Sequence, residues 1–275
     1  MFDPKTKKFP YPEDTASHYI ILKKDDGTVV DKDYPYYDHS RKRKTLQGMT
    51  RVLLYILAFW VAKIRTGLRV HGRKVLKENK DLLKKGVVSC SNHVHFWDFI
   101  AVMYATRPFK PYVLVWENNI RGENGKLMKN VRGVPIPSEG IRALHAMSSQ
   151  TCEHIKTGSW VHIYSEGSMW EYYMPIRPFK DGAAYYAVAC DRPLLPMAFS
   201  YRRPGWIRRV IFKQIALLDL HIGEPLLPNK DLPYEERKMD LLLRSHRAVC
   251  ELAGIKPEEN IYPPVYDHSR RIDYY

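Results

Sequence analysis

The sequence predicts an α/β fold: a mostly parallel or mixed sheet flanked by helices, preceded by an N-terminal helical element. From Leu68 onward short β-rich runs alternate with helical stretches, and Gly86 and Gly158 stand where helices should end, each just before a strand. At 275 residues and 45% hydrophobic composition the chain can bury one substantial core, so one main domain with extensions is expected. The runs LRVHG, VVSCS, YVLVW, WVHIYS, LLPMAFSY and VIFKQIALLDLHIG read as strands. KVLKENKDLLKK, IRALHAMSSQTCEHIK and EERKMDLLLRSHRAVCELA carry helical periodicity.

Taken in order, residues 1–45 form a polar extension rich in Tyr and Pro, in which two apolar runs flank Asp26-Gly27, a hairpin signal. Residues 46–66 follow a basic run, Arg41 to Lys44, and contain the most apolar window, Val52 to Ala62. That window is about half of the ~20 residues that span a bilayer. Bounded by Arg51, Lys63 and Arg65 and carrying Tyr55 and Trp60, it suits an amphipathic helix in a membrane interface; a buried core helix is the alternative. Residues 67–255 make the α/β domain, and 256–275 a Pro-rich tail read as a surface strap. The pentapeptide YDHSR occurs at Tyr37 to Arg41 and again at Tyr266 to Arg270, too little for a structural repeat.

A net charge of +14 attracts the chain to anionic surfaces: nucleic acid, acidic headgroups or phosphorylated substrates. The stretch Tyr201 to Arg209, with Trp206 among arginines, could stack bases, but it equally describes a snorkelling membrane contact, and no nucleic-acid motif accompanies it. The expected partner is therefore a membrane with anionic lipids and not nucleic acid. The four cysteines have no C-x-x-C spacing, which suggests a reduced setting. The N-terminus lacks the apolar core of a secretory signal, so the expected location is peripheral or monotopic, on the cytoplasmic face of a membrane.

The chemistry centres on the end of VVSCS, where Asn92-His93-Val94-His95-Phe96-Trp97-Asp98 precedes an apolar stretch able to open a helix. A neutral imidazole can take the proton of a poor nucleophile such as a hydroxyl, and a carboxylate on its other nitrogen fixes the tautomer and stabilises the imidazolium. On spacing alone, His93 satisfied in a turn and Asp98 capping the next helix is the competing reading. A second rival takes His93, His95 and Asp98 as metal ligands completed by His71, His145, His154 or His162. No second dense cluster supports it, so neither metal nor cofactor is expected. His95 is read as a variable loop position contacting backbone or solvent.

These residues resemble the glycerolipid acyltransferases typified by 1-acylglycerol-3-phosphate acyltransferase, whose first block, N-H-x-x-x-x-D after a strand, stands here as Asn92, His93 and Asp98. The resemblance runs in order over about Gly67 to Leu227. It includes G-x-P-I at Gly133 to Ile136, E-G-S at Glu166, Gly167 and Ser168, F-K-x-G at Phe179 to Gly182, and a strand with Pro196. It implies transfer of a fatty acyl group from acyl-CoA or an acyl carrier protein to the free hydroxyl of a lysophosphatidic-acid-like lysolipid, in phospholipid biosynthesis. His93 would be the general base and Asp98 its orienter. Asn92, Gly133, Glu166, Gly167 and Ser168 would face the acceptor, Glu166 bonding its hydroxyl or a site arginine. Members acting on phosphorylated acceptors usually carry Arg at the end of the second block and after the third, where this chain has Ser138 and Met169. Arg132, Arg142, Arg177 and Lys180 could supply the charge instead; otherwise the acceptor is a lysophospholipid or glycolipid without a glycerol phosphate.

Overall fold

The computed structural model describes residues 25–255, apart from 59, 61 and 174. A helix, α1 (Arg41–Leu53), continues into two π-helical turns, Leu54–Ala58 and Ala62–Thr66. Then come β1 (Arg69–His71), α2 (Arg73–Glu78), α3 (Lys80–Leu83), β2 (Val87–Ser91), α4 (Asp98–Ala105) and β3 (Tyr112–Trp116). The short helices α5 (Asn118–Arg121) and α6 (Gly125–Asn130) lead to β4 (Gly133–Ile136), α7 (Ile141–Lys156) and β5 (Trp160–Tyr164). The chain ends through α8 (Gly182–Cys190), β6 (Leu194–Arg202), α9 (Trp206–Val210), β7 (Leu217–Ile222) and α10 (Tyr234–Leu252).

The seven strands form one sheet in the order β1-β7-β6-β2-β5-β3-β4. Only the β6–β7 pairing is antiparallel. β2 is buried on both faces, as a near-continuous apolar strand of a parallel sheet should be. Side chains alternate across it: Val88 and Cys90 join the core formed by α7, α8 and α10, whereas Val87 faces the core formed with α2, α3 and α4. α7 buries Ala143, Met147, Thr151 and Ile155, one residue every fourth position. Gly86, at φ +114°, turns the chain into β2, where a Cβ would lie 1.9 Å from the Ile155 carbonyl oxygen.

Three sequence expectations change. The last strand, expected over Val210–Gly223, is shorter: Val210 ends a helix that starts at Trp206, and β7 starts at Leu217. The long helix expected from Lys74 breaks at Asn79 into α2 and α3. The hairpin expected at Asp26-Gly27 lies partly outside the described residues, since the whole of its first apolar run, residues 19–22, precedes them; Asp25–Val30 is irregular. The extension is also not a mere appendage, because Val30, Tyr36 and Tyr37 are core residues and the Tyr37 hydroxyl reaches Thr151 Oγ1 at 3.0 Å. The first YDHSR copy is a helix start: Ser40 caps α1 by accepting from the Arg43 N–H at 3.2 Å, and Asp38 accepts from Arg43 Nε at 3.3 Å. The second copy and the tail, 256–275, lie outside the described residues.

Of the apolar window Val52–Ala62, the residues whose side chains are described are exposed apart from Leu54 and Tyr55, which are half-buried, Leu54 packing against the core. α1 has no buried residue, and Met49, Val52, Leu53, Ile56, Trp60 and Ile64 are exposed. Among the described residues no helix is long and apolar enough to cross a membrane.

Candidate active site

β2 and β5 are parallel neighbours with Ser91 level with Tyr164, so the loops leaving their C-terminal ends emerge side by side. His93 stands two residues past one strand and Glu166 two past the other. The His93 N–H donates to Glu166 Oε2 at 2.8 Å, tying the two loops together. Sites of open parallel sheets lie at such strand ends.

His93 Nδ1 is 3.0 Å from Asp98 Oδ2, and the same oxygen accepts from the backbone N–H of Val94 at 2.8 Å and of His95 at 3.0 Å. Asp98 opens α4, so one carboxylate orders the loop, begins the helix and orients the imidazole. Burial pushes the Asp98 carboxyl up to about 7, while the backbone N–H groups of His95 and Val94 oppose that rise by stabilising the charged form. Burial pushes the His93 imidazole down to about 3, holding it neutral at ordinary pH. With Nδ1–H donated to Asp98, the lone pair is on Nε2. The ring stacks on Tyr164 at 3.9 Å between centroids, and the side chain keeps 24% of its surface exposed.

His93 stands beside a cleft of about 1280 Å³, counting its open mouth, whose walls include Phe99, Val113, Val115, Met128, Ile136 and Met169. Gly133 and Gly167 also line it. Gly167 has φ +79°, and a Cβ there would meet the Lys180 side chain, 2.7 Å from Cε and 2.9 Å from Nζ. The exposed Lys180 side chain thus lies against Gly167 without itself being part of the lining.

Several expected substrate contacts are committed within the protein. Asn92 is buried, donating from Nδ2 to the Phe199 carbonyl at 2.9 Å and accepting from the Phe199 N–H at 2.8 Å, so its amide clamps the loop to β6. Glu166 Oε1 accepts from the Arg177 N–H at 2.7 Å, and Oε2 from Arg177 Nη2 at 3.0 Å. Of the two partners expected for Glu166, it is the arginine that it holds. Arg177, 1% exposed, also donates from Nη1 to Ser168 Oγ at 2.7 Å and from Nη2 to the Ser168 carbonyl, and lies over the Trp170 ring. Ser168 and Arg177 are thus internal and do not face the cleft. Arg132 stacks on Tyr112 and bonds the Lys110 carbonyl, whereas Arg142 is exposed on α7 and is not part of the cleft lining.

His95 is buried, its Nδ1 accepting from the Trp97 N–H at 3.1 Å and its Nε2 lying 3.8 Å from Glu171. Of the histidines proposed to complete a metal shell, His154 packs against Tyr37 and His162 is enclosed in the sheet. His71, Asp219 and His221 do group on β1 and β7, but Arg202 Nε holds Asp219 at 2.8 Å.

Tyr164 escapes sequence reasoning, because nothing in WVHIYS marks it as touching the site, and His162, weighed from sequence only as a metal ligand, is instead a buried ring bonded to serines of β2. His162 Nδ1 is 2.8 Å from Ser89 Oγ and its Nε2 3.3 Å from Ser91 Oγ, and burial holds the ring down to about 3. Unfolded, it would protonate near 6.5. Folding therefore loses stability as pH falls from 6.5 toward 3, by about 1.4 kcal/mol per pH unit for this group. Urea titrations between pH 7 and 5 are expected to show a shallower pH dependence in His162→Gln than in wild type. Equal slopes would refute this role for His162.

Residues 67–200 match the Acyltransferase family. The structure is similar to the crystal structure of the 1-acyl-sn-glycerophosphate (LPA) acyltransferase PlsC from Thermotoga maritima, at 17% identity and a TM-score of 0.49, covering 79% of this chain and 84% of that one. No curated protein sequence matches. The N-H-x-x-x-x-D block at the end of β2 lies inside the residues that match the Acyltransferase family, so this part of the chain is an acyltransferase domain.

Proposed function

We propose that this enzyme transfers a fatty acyl group from acyl-CoA or an acyl carrier protein to the free hydroxyl of a lysophosphatidic-acid-like glycerolipid at a membrane surface. The observation that carries the reading is the His93–Asp98 pair at 3.0 Å beside an apolar cleft. The acceptor hydroxyl attacks the thioester carbonyl as His93 Nε2 takes its proton. Asp98 stabilises the imidazolium, and collapse of the tetrahedral intermediate expels a thiolate that takes the proton back. The apolar walls suit an acyl chain. No metal or cofactor enters this chemistry.

Of the four basic residues considered for an acceptor phosphate, Lys180 is the one that packs against a residue of the cleft lining, Gly167, while Arg177 is internal and Arg132 is held by Tyr112 and the Lys110 carbonyl. Lys180→Ala is expected to raise KM for lysophosphatidic acid by about 10-fold or more with little change in kcat, the loss of a charged hydrogen bond. Arg142→Ala should be near neutral. Met169 in the cleft lining favours a second reading, an acceptor without a glycerol phosphate. A mass-spectrometric comparison of lysophosphatidic acid, a lysophospholipid and a lysoglycolipid with one labelled acyl thioester decides. Preference for a non-phosphorylated acceptor, unmoved by Lys180→Ala, would select the second.

The exposed apolar side chains of residues 46–66, with their basic neighbours, are the proposed anchor to the anionic leaflet, peripheral and facing the cytoplasm. Because residues 30–37 belong to the core, Leu53→Ser/Ile56→Ser/Trp60→Ser tests this anchor better than truncation.

A further inference from the structure

A second exposed apolar patch lies on the protein beyond the residues that match the family. Trp206, Ile207, Val210, Ile211 and Phe212, on α9 and the turn after it, are each 51–66% exposed. Scattered exposed apolar residues are ordinary; five among seven consecutive residues mark a contact surface. Arg203 and Lys213, both exposed, flank them.

The patch is fastened to the N-terminal element. Arg208 Nη1 donates to the Ile64 carbonyl at 3.0 Å, and Gln214 Nε2 to the carbonyls of Ile64 at 3.0 Å and Arg65 at 2.6 Å. These bonds satisfy carbonyls at the end of the π-helical turn Ala62–Thr66 and bring the exposed Ile64 next to α9. Arg202 Nη2 adds a bond to the Gly67 carbonyl. Two segments far apart in sequence are thus tied together by side-chain hydrogen bonds.

The joined segments are coupled to the His93 loop from both sides. Leu54 packs against the core that contains Ile100 and Val102 of α4, the helix that Asp98 opens. On the other side β6 leads straight into α9, and Tyr201 near its end donates its hydroxyl to the Val94 carbonyl. Phe96 in the His93 loop is itself exposed.

We propose that Trp206–Phe212 is a second membrane wedge, which inserts its five apolar side chains into an anionic leaflet while Arg203 and Lys213 contact headgroups, and so fixes the mouth of the His93 cleft against the lipid surface. Tryptophan at the interface with flanking cations is the composition such a contact requires. The inference rests on the membrane-surface reading above and adds a separate element to it.

The test uses the full chain and sedimentation with vesicles of phosphatidylcholine and phosphatidylglycerol. Trp206→Ser/Ile211→Ser/Phe212→Ser is expected to partition at least about 10-fold more weakly than wild type, given the transfer free energies of three apolar side chains. Its melting curve should be unchanged because the side chains are exposed. Arg203→Gln/Lys213→Gln should weaken binding to these vesicles but not to phosphatidylcholine alone. In wild type, brominated lipid should quench more fluorescence than in Trp206→Phe, which tests insertion even if the triple variant folds poorly. Vesicle binding equal to wild type in the triple variant, with the Leu53/Ile56/Trp60 variant weakened, would overturn the wedge. So would a triple variant altered only in self-association. Turnover on a detergent-dispersed acceptor separates the two readings, since the wedge variant should retain it, and loss of all transfer activity in wild type would instead refute the proposed reaction.

Discussion

His93→Ala is expected to lower acyl transfer by about 10²–10⁴-fold with the fold intact, the range lost when a positioned general base is removed. The side chain is partly exposed beside the cleft, and its backbone N–H, which remains in the variant, makes the bond to Glu166. Turnover should therefore fall without a matching loss of thermal stability. Asp98→Asn should also be severely impaired, because the amide cannot stabilise the imidazolium as a carboxylate does, and its effect should include loosening of the loop through Val94 and His95. Since burial holds His93 well below the ordinary imidazole value of 6.5, the acid limb of kcat/KM is expected below pH 6.5. An acid limb at or above that value, or near-normal turnover in His93→Ala, would refute the assignment. A chelator should leave activity unchanged; loss in EDTA with recovery in zinc would revive the metal reading.

Most of the sheet, β4 excepted, was legible because parallel strands buried on both faces are largely apolar, as VVSCS, YVLVW and WVHIY are, and their polar Ser89, Ser91 and His162 bond one another inside the sheet. The His93–Asp98 pair was legible through the N-H-x-x-x-x-D resemblance, since spacing alone leaves a helix-capping Asp98 as a rival, and Asp98 does bond the Val94 and His95 N–H groups. α8 was not, because GAAYYAVAC is apolar on every side and so carries no amphipathic period. Trp206–Phe212 was read partly as strand for a related reason: apolar content signals burial in sequence, and here the side chains are exposed. Residues 30–37 look like a polar extension, yet Tyr36 and Tyr37 bury their rings while their hydroxyls find the Asp31 carbonyl and Thr151. What sequence could not supply at all is partner choice across loops. Arg177 and Lys180 stand three residues apart, and only the fold turns one inward to Glu166 and leaves the other beside Gly167.

That difference in direction gives Arg177→Ala the largest expected effect on stability. Arg177 and Glu166 are both buried, their ion pair is 3.0 Å long, and the guanidinium also serves Ser168 and stacks on Trp170. Removing one partner of such a pair leaves an uncompensated buried charge, at a cost of about 3–5 kcal/mol. For a chain of this size that corresponds to a melting temperature lower by roughly 10 °C. The damage should reach the proposed active site, because Glu166 also accepts from the His93 N–H and so positions the loop that carries His93. The signature is then a fall in kcat together with a fall in melting temperature, for phosphorylated and non-phosphorylated acceptors alike. An arginine gripping the acceptor phosphate would behave differently, raising KM for lysophosphatidic acid alone and leaving the melting curve in place. Glu166→Gln offers the complementary measurement: if the pair is structural, Arg177→Ala/Glu166→Gln should be less destabilised than the sum of the two single variants, since the carboxylate stranded by the first change is absent in the second. Additive losses in that double variant, with a phosphate-selective KM effect in Arg177→Ala, would return Arg177 to the acceptor site.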